Sequence, residues 1–220
     1  MIILNMEQGS PDWFAARLGV VTASELSNII SPIELKPSKQ AVAYRHRLLA
    51  EYLTGKPAEF YESDWMRRGK EIEEEARDYY AMLTDQDVSQ VGFVYKDDTQ
   101  LIGCSPDGVI FNEDGQIAKG LEIKCLSPWK HVGQLLSGHL PRDFILQVQG
   151  SMWVTGLKTW DFLSYHPDMK SVLLTVKRDE KIIAALSAAV TEFIEEMLRE
   201  RTLLTGDTTL ALEASLRVAR

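Results

Sequence analysis

The sequence predicts an α/β protein, an α+β layered domain in which a central mixed β-sheet is flanked by helices. Three observations predict this class. Apolar residues recur at helical spacing in the first half, short β-prone segments fill the middle, and the last long segment carries an apolar helical stripe. No internal repeat or Gly/Ser-rich linker divides the chain, so we predict a single domain over residues 1–220.

Four helices are predicted in the first half, each from a helix-start residue followed by apolar residues at helical spacing. The first has Pro11 in its first turn, where the missing N–H is not needed. The second begins with a capping-box pattern over residues 22–25. The starts and ends are Ser10 and Gly19, Thr22 and about Ile30, Ser38 and Gly55, and Ser63 with apolar positions through Tyr80.

The middle of the chain changes to strand-like spacing. Segments rich in β-branched and aromatic residues are separated by Asp, Asn and Gly, as in a meander, and a loop is predicted earlier over residues 31–37. Strands are predicted over 88–95, 100–104, 108–111, 120–125, 159–165 and 172–177. Pro141 precedes a helix from about Arg142 to Val154, and Asp179 begins the last long helix, whose stripe reaches Met197.

Composition excludes several classes of protein. The chain has 220 residues, 45% apolar and 25% charged, which is typical of a folded globular protein and not of a disordered, collagen-like or disulfide-rich chain. Cys104 and Cys125 are too few for a four-cysteine zinc or iron–sulfur site, and we interpret them as small buried residues. The sequence has no signal-peptide pattern and no run of the ~18 apolar residues that span a membrane. We expect a cytoplasmic protein without a membrane partner.

Acidic residues outnumber basic ones, with 32 Asp and Glu against 24 Lys and Arg and a formal net charge of −8. This balance argues against a non-specific nucleic-acid coat, which depends on neutralised phosphates. It is compatible with a nuclease, because bound divalent cations reverse the field of a carboxylate cluster. Five basic residues are candidates to line a DNA path, and a solvated basic face explains them equally well: Arg45, Arg47, Arg67, Arg68 and Lys70.

The strongest chemical signal is a Pro-Asp-Gly turn containing Asp107, followed by Glu122 and Lys124. Strand residues two apart face the same side, so Glu122 and Lys124 project together while Ile123 points into the core. A hairpin over residues 108–121 would return Asp107 beside Glu122. Carboxylate oxygens suit Mg²⁺, and a neighbouring ammonium can orient an attacking water and offset transition-state charge. Either motif alone is typical of a solvated strand face or a turn, but their order and spacing favour a PD-(D/E)xK nuclease site.

A third carboxylate is expected from the helix that precedes the sheet. Glu71, Glu73, Glu74 and Glu75 compete for this role. Glu73 shares a helical face with Ala76 and Tyr80, so we predict that Glu73 is the one that faces inward. For any one of the four, Glu73 included, a solvated acidic helix face is the simpler explanation when that residue is considered alone.

Five segments carry a resemblance to a known family; they are residues 13–25, 69–77, 104–108, 121–125 and 147–155. Helix, site strands and following helix occur in the family's order across about residues 10 to 200. The chain thus resembles the YqaJ-like viral recombinase nucleases, the family of phage lambda exonuclease within the PD-(D/E)xK superfamily. The resemblance implies a restriction-endonuclease-like core. It fades before Trp13, over residues 31–39 and after Thr202.

The resemblance implies a Mg²⁺-dependent 5′→3′ exonuclease that degrades linear double-stranded DNA in phage or prophage recombination. It implies that Asp107, Glu122 and the Ile123 carbonyl hold two Mg²⁺ ions, for which Mn²⁺ would substitute. Lys124 would help to activate water, and the family's helix glutamate falls on Glu73. A homotrimeric ring that threads the duplex and a single-strand annealing protein as partner are also implied.

The resemblance also assigns a pocket for the terminal 5′-phosphate to Arg17, Ser24 and Gln147. Ser24 lies in the first turn of a predicted helix, where free N–H groups favour a phosphate, and Arg17 offers a planar fork for phosphate oxygens. The sequence itself does not distinguish Gln147 from a surface amide.

Three alternative functions are compatible with parts of the pattern. An endonuclease or repair nuclease would use the same site, and a non-catalytic DNA-binding subunit would keep only the fold. A hydrolase acting on a small molecule would use the carboxylates but leave Lys124 unexplained. The histidines show no metal-ligand spacing, and we interpret them as surface or hydrogen-bonded residues: His46, His131, His139 and His166.

Overall fold

Two four-stranded β-sheets lie between helices in the computed structural model, which describes residues 1–58, 67–68 and 71–206. Within these residues the strands are β1 (Ile2–Leu4), β2 (Val21–Thr22), β3 (Phe93–Tyr95), β4 (Ile102–Cys104), β5 (Gly108–Phe111), β6 (Ile117–Lys124), β7 (Thr159–Ser164) and β8 (Val172–Lys177). The α-helices are α1 (Pro11–Arg17), α2 (Ala41–Thr54), α3 (Glu73–Thr84), α4 (Pro128–Ser137), α5 (Arg142–Thr155) and α6 (Glu180–Thr205), and a 3₁₀ helix covers Ala23–Asn28. Among the described helices, none is long and apolar enough to cross a membrane.

Both sheets are mixed, which confirms the predicted fold class. The first has the order β1-β3-β4-β2, in which only β2 and β4 are parallel, and the second has the order β5-β6-β7-β8, in which only β6 and β7 are parallel. The strands that were predicted around one central sheet are therefore shared between two. Residues 105–107 connect β4 of the first sheet to β5 of the second.

Helices α3 and α5 cover opposite faces of the second sheet. Side chains of α3 pack against Leu121 and Ile123 of β6, whereas side chains of α5 pack against Trp160 and Phe162 of β7. Because side chains alternate along a strand, Glu122 and Lys124 project toward α5. The alternation of β6 thus sends its charged residues to one side and its apolar residues to the other.

Close approach of α5 to the 3₁₀ helix depends on a glycine. A Cβ placed on Gly150 would lie 2.2 Å from Cδ1 of Leu26, which is fully buried. Any larger side chain there would have to displace the buried Leu26 side chain. This contact holds the segment that contains Ser24 against the helix that contains Gln147.

The predicted starts and ends of the first-half helices agree with the structure in part. The Ser10 side chain accepts a hydrogen bond from the Trp13 N–H at the start of α1. Gly19 and Gly55 have left-handed φ angles of 68° and 64° just after α1 and α2. Ser63, Trp65 and Gly69 of the fourth predicted helix lie outside the described residues, and α3 forms its described part.

The capping-box prediction was wrong. Residues 23–28 form a 3₁₀ helix, and Thr22 makes no side-chain capping hydrogen bond. Thr22 is instead a buried residue of β2, where it pairs with Gly103 of β4. The Glu25 carboxylate is held by Arg47 at 2.9 Å, so it does not reach back to the helix start.

Helix α4 was missed because its periodicity is inverted. Its buried residues are the polar His131 and Gln134, whereas Trp129, Val132 and Leu136 are exposed. His131 is stabilised by two hydrogen bonds of 2.8 Å, one with the Ser164 hydroxyl and one with a backbone carbonyl. Apolar spacing therefore gave no helix signal. The short strands β1 and β2 were also not predicted.

Arg45 neither lines a DNA path nor belongs to a solvated basic face. It is 8% exposed and connects α2 to α6 through two glutamates. Its Nε and Nη2 each lie 2.9 Å from an oxygen of Glu200, and its Nη1 lies 2.5 Å from Glu196. Arg45 is thus a structural residue.

The Arg45–Glu200 pair should make the free energy of unfolding depend on pH in the acidic range. The hydrogen bond from Arg45 lowers the pKa of Glu200 below its ordinary value. This pair therefore stabilises the fold above the unfolded pKa and loses that contribution as the pH falls through the folded pKa. The free energy of unfolding would be measured in urea at about pH 6 and about pH 3. The decrease between these pH values should be smaller for Glu200→Gln than for wild type, by about 1 kcal/mol. Glu180→Gln, which changes a mostly exposed carboxylate, is the control, and equal slopes for Glu200→Gln and wild type would contradict the prediction.

Candidate active site

The β5–β6 hairpin brings Asp107 beside β6, which confirms the predicted return. Gly108 pairs with Leu121, and the Asp107 N–H donates to the Leu121 carbonyl oxygen at 3.1 Å. The Asp107 carboxylate then accepts a hydrogen bond of 2.6 Å from the Ile123 N–H. Asp107 is thereby fixed at the end of β6 where Glu122 and Lys124 lie.

The buried Glu122 and the half-buried Lys124 form an ion pair on the same face of β6. Lys124 Nζ lies 2.6 Å from Glu122 Oε1, and the Gln147 side-chain N–H donates to this same oxygen. The Glu122 side chain is 1% exposed, and its other oxygen, Oε2, is buried without a hydrogen-bond partner. The Lys124 ammonium also lies 5.1 Å from the centre of the Phe144 ring. Glu122 therefore has one saturated and one unused oxygen.

Burial dominates the electrostatics of these groups. It raises the pKa of Glu122 to about 8, although Lys124 acts in the opposite direction. It also raises the pKa of Asp107. Burial alone would lower the pKa of Lys124, but Glu122 and Asp107 outweigh it and the pKa is raised. Lys124 is thus held in its charged ammonium form, and the carboxylates beside it carry a negative charge that is poorly solvated.

Glu73 is the α3 glutamate that faces this site, as the helical spacing predicts. Arg77 Nη2 lies 2.9 Å from Glu73 Oε1, while Arg77 Nε donates to the Asp107 carbonyl oxygen at 2.7 Å. Burial, with a further contribution from Asp107, raises the pKa of Glu73 to about 7. Glu75 instead accepts a hydrogen bond of 2.5 Å from the Tyr165 hydroxyl. Arg77 therefore joins α3 to the Asp107 loop.

The backbone of Ile123 also faces Asp107. Its N–H donates to the Asp107 carboxylate, whereas the carbonyl of the next residue, Lys124, accepts from the Tyr165 N–H at 3.1 Å. The N–H and C=O of one strand residue point to the same side, and successive residues alternate. The Ile123 carbonyl is thus oriented toward the Asp107 side of β6.

These residues fit a divalent cation of the Mg²⁺ type. The buried, unpartnered Oε2 of Glu122 lacks a positive group, which a cation would supply. Across residues 1–58, 67–68 and 71–206, no three His, Cys, Asp or Glu side chains form a metal-ligating cluster. A bound cation would therefore take two carboxylates, Asp107 and Glu122, with the Ile123 carbonyl, water and substrate phosphate, and Mg²⁺ binds in this way.

Arg17 lies next to the loop that carries Asp107. Its Nη1 donates to the Ser105 hydroxyl oxygen at 3.1 Å, and Trp13 Nε1 donates to the same oxygen at 2.9 Å. The Arg17 guanidinium carbon lies 4.2 Å from the centre of the Trp13 ring. Ser105 is two residues before Asp107 in the chain, so Arg17 is anchored to the Asp107 loop. Neither Ser105 nor Trp13 was predicted in this role, because contacts over 88 and 92 residues leave no local signal.

Of the other two residues predicted for the phosphate pocket, Gln147 contacts Glu122 and Ser24 contacts Thr22. Ser24 is exposed in the first turn of the 3₁₀ helix, with its hydroxyl 3.3 Å from that of Thr22. Burial lowers the pKa of Arg17, and Glu25, which follows Ser24, partly offsets this effect. Gln147 is bonded to Glu122, so it is a residue of the metal-type site as well as a candidate phosphate ligand.

The remaining candidates lie elsewhere or outside the described residues. His131 is buried and hydrogen-bonded through both ring nitrogens, as the interpretation of a hydrogen-bonded histidine requires. Cys104 is buried and Cys125 is half-buried, and burial raises the pKa of both thiols. Arg47 pairs with Glu25, and Lys70 is not described.

Comparisons with known proteins show which proteins the chain is similar to. The family model for the YqaJ-like viral recombinase domain matches residues 12–158 of the chain. The crystal structure of LHK-Exo, an alkaline exonuclease from Laribacter hongkongensis, is 31% identical over 89% of this chain and 96% of that chain, with a TM-score of 0.77. The structure of LHK-Exo in complex with dAMP is 29% identical over 93% and 99% of the two chains, with a TM-score of 0.78.

The chain is also similar in sequence to two further proteins. ExoD of Escherichia coli K12 is 44% identical over 57 residues, which cover 24% of this chain. R354 of Acanthamoeba polyphaga mimivirus is 26% identical over 171 residues, which cover 73% of this chain. The matched regions span 66% of the length of ExoD and 29% of the length of R354.

Proposed function

The chain belongs to the family of YqaJ-like viral recombinase domains, and we propose that it is a Mg²⁺-dependent 5′→3′ exonuclease that degrades one strand of linear double-stranded DNA. The observation that carries this proposal is the set formed by the buried Glu122 and the half-buried Asp107 and Lys124, in which Glu122 Oε2 has no partner. The likeness to LHK-Exo supports exonuclease chemistry. Its place would be phage or prophage recombination in the cytoplasm.

In this proposal some residues of the chain hold the metal ions, and others orient the water or supply charge. Asp107, Glu122 and the Ile123 carbonyl would hold two Mg²⁺ ions, which supply charge neutralisation for the attacking and leaving oxygens of the phosphodiester. Lys124 would orient the attacking water and offset the charge that develops on the phosphate. Glu73 would add a further negative charge beside these ligands, and it is held by Arg77, which also bonds to the Asp107 carbonyl.

Recognition of the DNA end would use the adjoining pocket. Arg17, held by Ser105 and stacked on Trp13, presents a guanidinium that suits two phosphate oxygens. Ser24 and Gln147 would complete the pocket for the 5′-phosphate. The assembly proposed from the family is a homotrimer around the duplex, with a single-strand annealing protein as partner; light scattering after gel filtration tests the trimer.

A comparison of DNA ends tests the function. Linear duplexes with 5′-phosphate or 5′-hydroxyl ends and a closed circle would each be incubated with Mg²⁺, with Mn²⁺ or with EDTA. Metal-dependent release of nucleotides from linear DNA only, faster from 5′-phosphate ends, is the expected result. Cutting of the circle would replace exonuclease by endonuclease, and degradation of no substrate would favour a non-catalytic DNA-binding subunit.

Arg17→Ala should weaken the preference for 5′-phosphorylated ends while sparing the chemistry. A lost hydrogen bond to a charged group corresponds to roughly tenfold or more in the ratio of rates on the two ends. Ser105→Ala should reduce the same ratio by less, because it keeps the guanidinium and removes only its anchor. Arg178→Ala, which changes an arginine bonded to the Met152 carbonyl and Glu180, is the control. An unchanged ratio in Arg17→Ala would remove Arg17 from the pocket.

A further inference from the structure

Gln147 contacts the carboxylate that is proposed to bind metal. Its side-chain N–H donates to Glu122 Oε1, the oxygen that also accepts from Lys124. Gln147 lies on α5, and its neighbours Leu146 and Val148 are buried in the core. The helix that carries the amide is therefore fixed by packing on both sides of Gln147.

Two donors on one oxygen leave the other oxygen as the available ligand. Lys124 and Gln147 both bind Oε1 of Glu122, while Oε2 is buried without a partner. A carboxylate held at one oxygen by two donors cannot rotate about its terminal bond without breaking both hydrogen bonds. We propose that Gln147 is a positioning residue that orients Glu122 so that Oε2 is presented to a divalent cation. This inference rests on the proposed function, because it assigns a role toward the same metal site.

The same amide connects the metal site to the phosphate pocket. A carboxamide carries two N–H donors, and the bond to Glu122 uses one of them. The other donor suits an oxygen of the 5′-phosphate, the role that the family assigns to Gln147. A phosphate bound there would accept a hydrogen bond from the same side chain that holds Glu122. One residue would then both recognise the 5′ end of the DNA and orient the metal ligand.

Gln149 provides a matched control on the same helix. It is 3% exposed and two residues from Gln147, but it bonds to the backbone of the segment before α6. Its N–H donates to the Lys177 carbonyl oxygen at 2.9 Å, and its oxygen accepts from the Asp179 N–H at 2.9 Å. Gln149 is therefore a structural glutamine that contributes to the fold without contacting Glu122.

The test measures Mn²⁺ affinity in DNA-free protein by isothermal titration calorimetry. Gln147→Met keeps the length of the side chain and removes its donors, and Gln147→Ala serves as a second variant. Each should bind Mn²⁺ about 10- to 100-fold more weakly than wild type, which is the usual effect of removing a partner of a metal ligand. Thermal unfolding of each variant establishes that the protein is folded, and nuclease activity should recover as the Mn²⁺ concentration is raised.

The outcomes separate this inference from the function on which it rests. Wild-type affinity in folded Gln147→Met would overturn the positioning role and leave Gln147 as a phosphate ligand only. Equal weakening in Gln149→Met would also overturn it, because a general loss of stability would then explain the effect. Absence of Mn²⁺ binding by wild type would overturn the metal site itself and this role with it.

Discussion

Lys124→Ala is expected to lower turnover on linear duplex DNA by roughly a hundredfold or more, which is the scale for a lost electrostatic stabiliser. Glu122 and Asp107 raise the pKa of Lys124, so its ammonium is charged at neutral pH. Its position 2.6 Å from Glu122 places that charge beside the proposed metal ligands. Removing it should affect the transition state much more than the ground-state complex. DNA binding should remain largely intact.

Two measurements check this result. Turnover would be measured at saturating Mg²⁺, and the Kd for duplex DNA would be measured by fluorescence anisotropy in EDTA. Lys119→Ala is the matched control, because Lys119 lies on the same strand and pairs with a different buried carboxylate, Asp161, at 3.1 Å. Normal turnover in Lys124→Ala would remove the lysine from the catalytic site, and an equal loss in Lys119→Ala would indicate a general effect on β6.

Glu122→Gln should greatly weaken Mn²⁺ binding and the nuclease activity that depends on it. The substitution keeps the size of the side chain and an acceptor for Lys124, but it replaces the carboxylate whose Oε2 is unpartnered with a neutral amide. Loss of a negatively charged ligand should reduce Mn²⁺ affinity by more than about a hundredfold, beyond the effect of losing an outer partner. Nuclease activity should fall at least in proportion. Calorimetric titration of DNA-free protein and release of nucleotides would be measured on the same samples.

Asp161→Asn separates loss of a ligand from loss of a buried charge. Asp161 is 2% exposed on β7, and it accepts hydrogen bonds from Tyr80 and Thr175, each at 2.7 Å. The change should lower thermal stability and leave Mn²⁺ affinity as in wild type, because Asp161 does not contact Glu122. Undiminished Mn²⁺ binding in Glu122→Gln would contradict the assignment of Glu122 as a ligand.

The sequence predicted most of the second sheet and the start of α6 accurately. Strands over 108–111 and 172–177 have the predicted bounds, and Asp179 caps α6 by accepting from the N–H groups of Lys181 and Ile182. These elements combine local signals with burial on a regular period, so each could be recognised without its neighbours. Helix α4 could not, because the residues it buries are polar and find their partners on a distant strand and loop.

The candidate site divides in the same way. Asp107, Glu122 and Lys124 follow from a turn, a hairpin and the two-residue period of a strand, which are local properties. The contacts of Arg17 with Ser105 and of Gln147 with Glu122 join parts of the chain that are 88 and 25 residues apart. No local propensity encodes such a contact.

The sequence by itself therefore determined the fold class, the carboxylate–lysine set and the inward-facing glutamate of α3, since each depends on the periodicity of a helix or strand. Only the tertiary structure decided which residues contact and position the candidate site residues. It showed that Gln147 and Lys124 share one oxygen of Glu122, and that Ser105 anchors Arg17. It also paired Arg45 with Glu196 and Glu200. The physical reason is that hydrogen bonds and ion pairs depend on distances between elements, which packing of the whole chain sets.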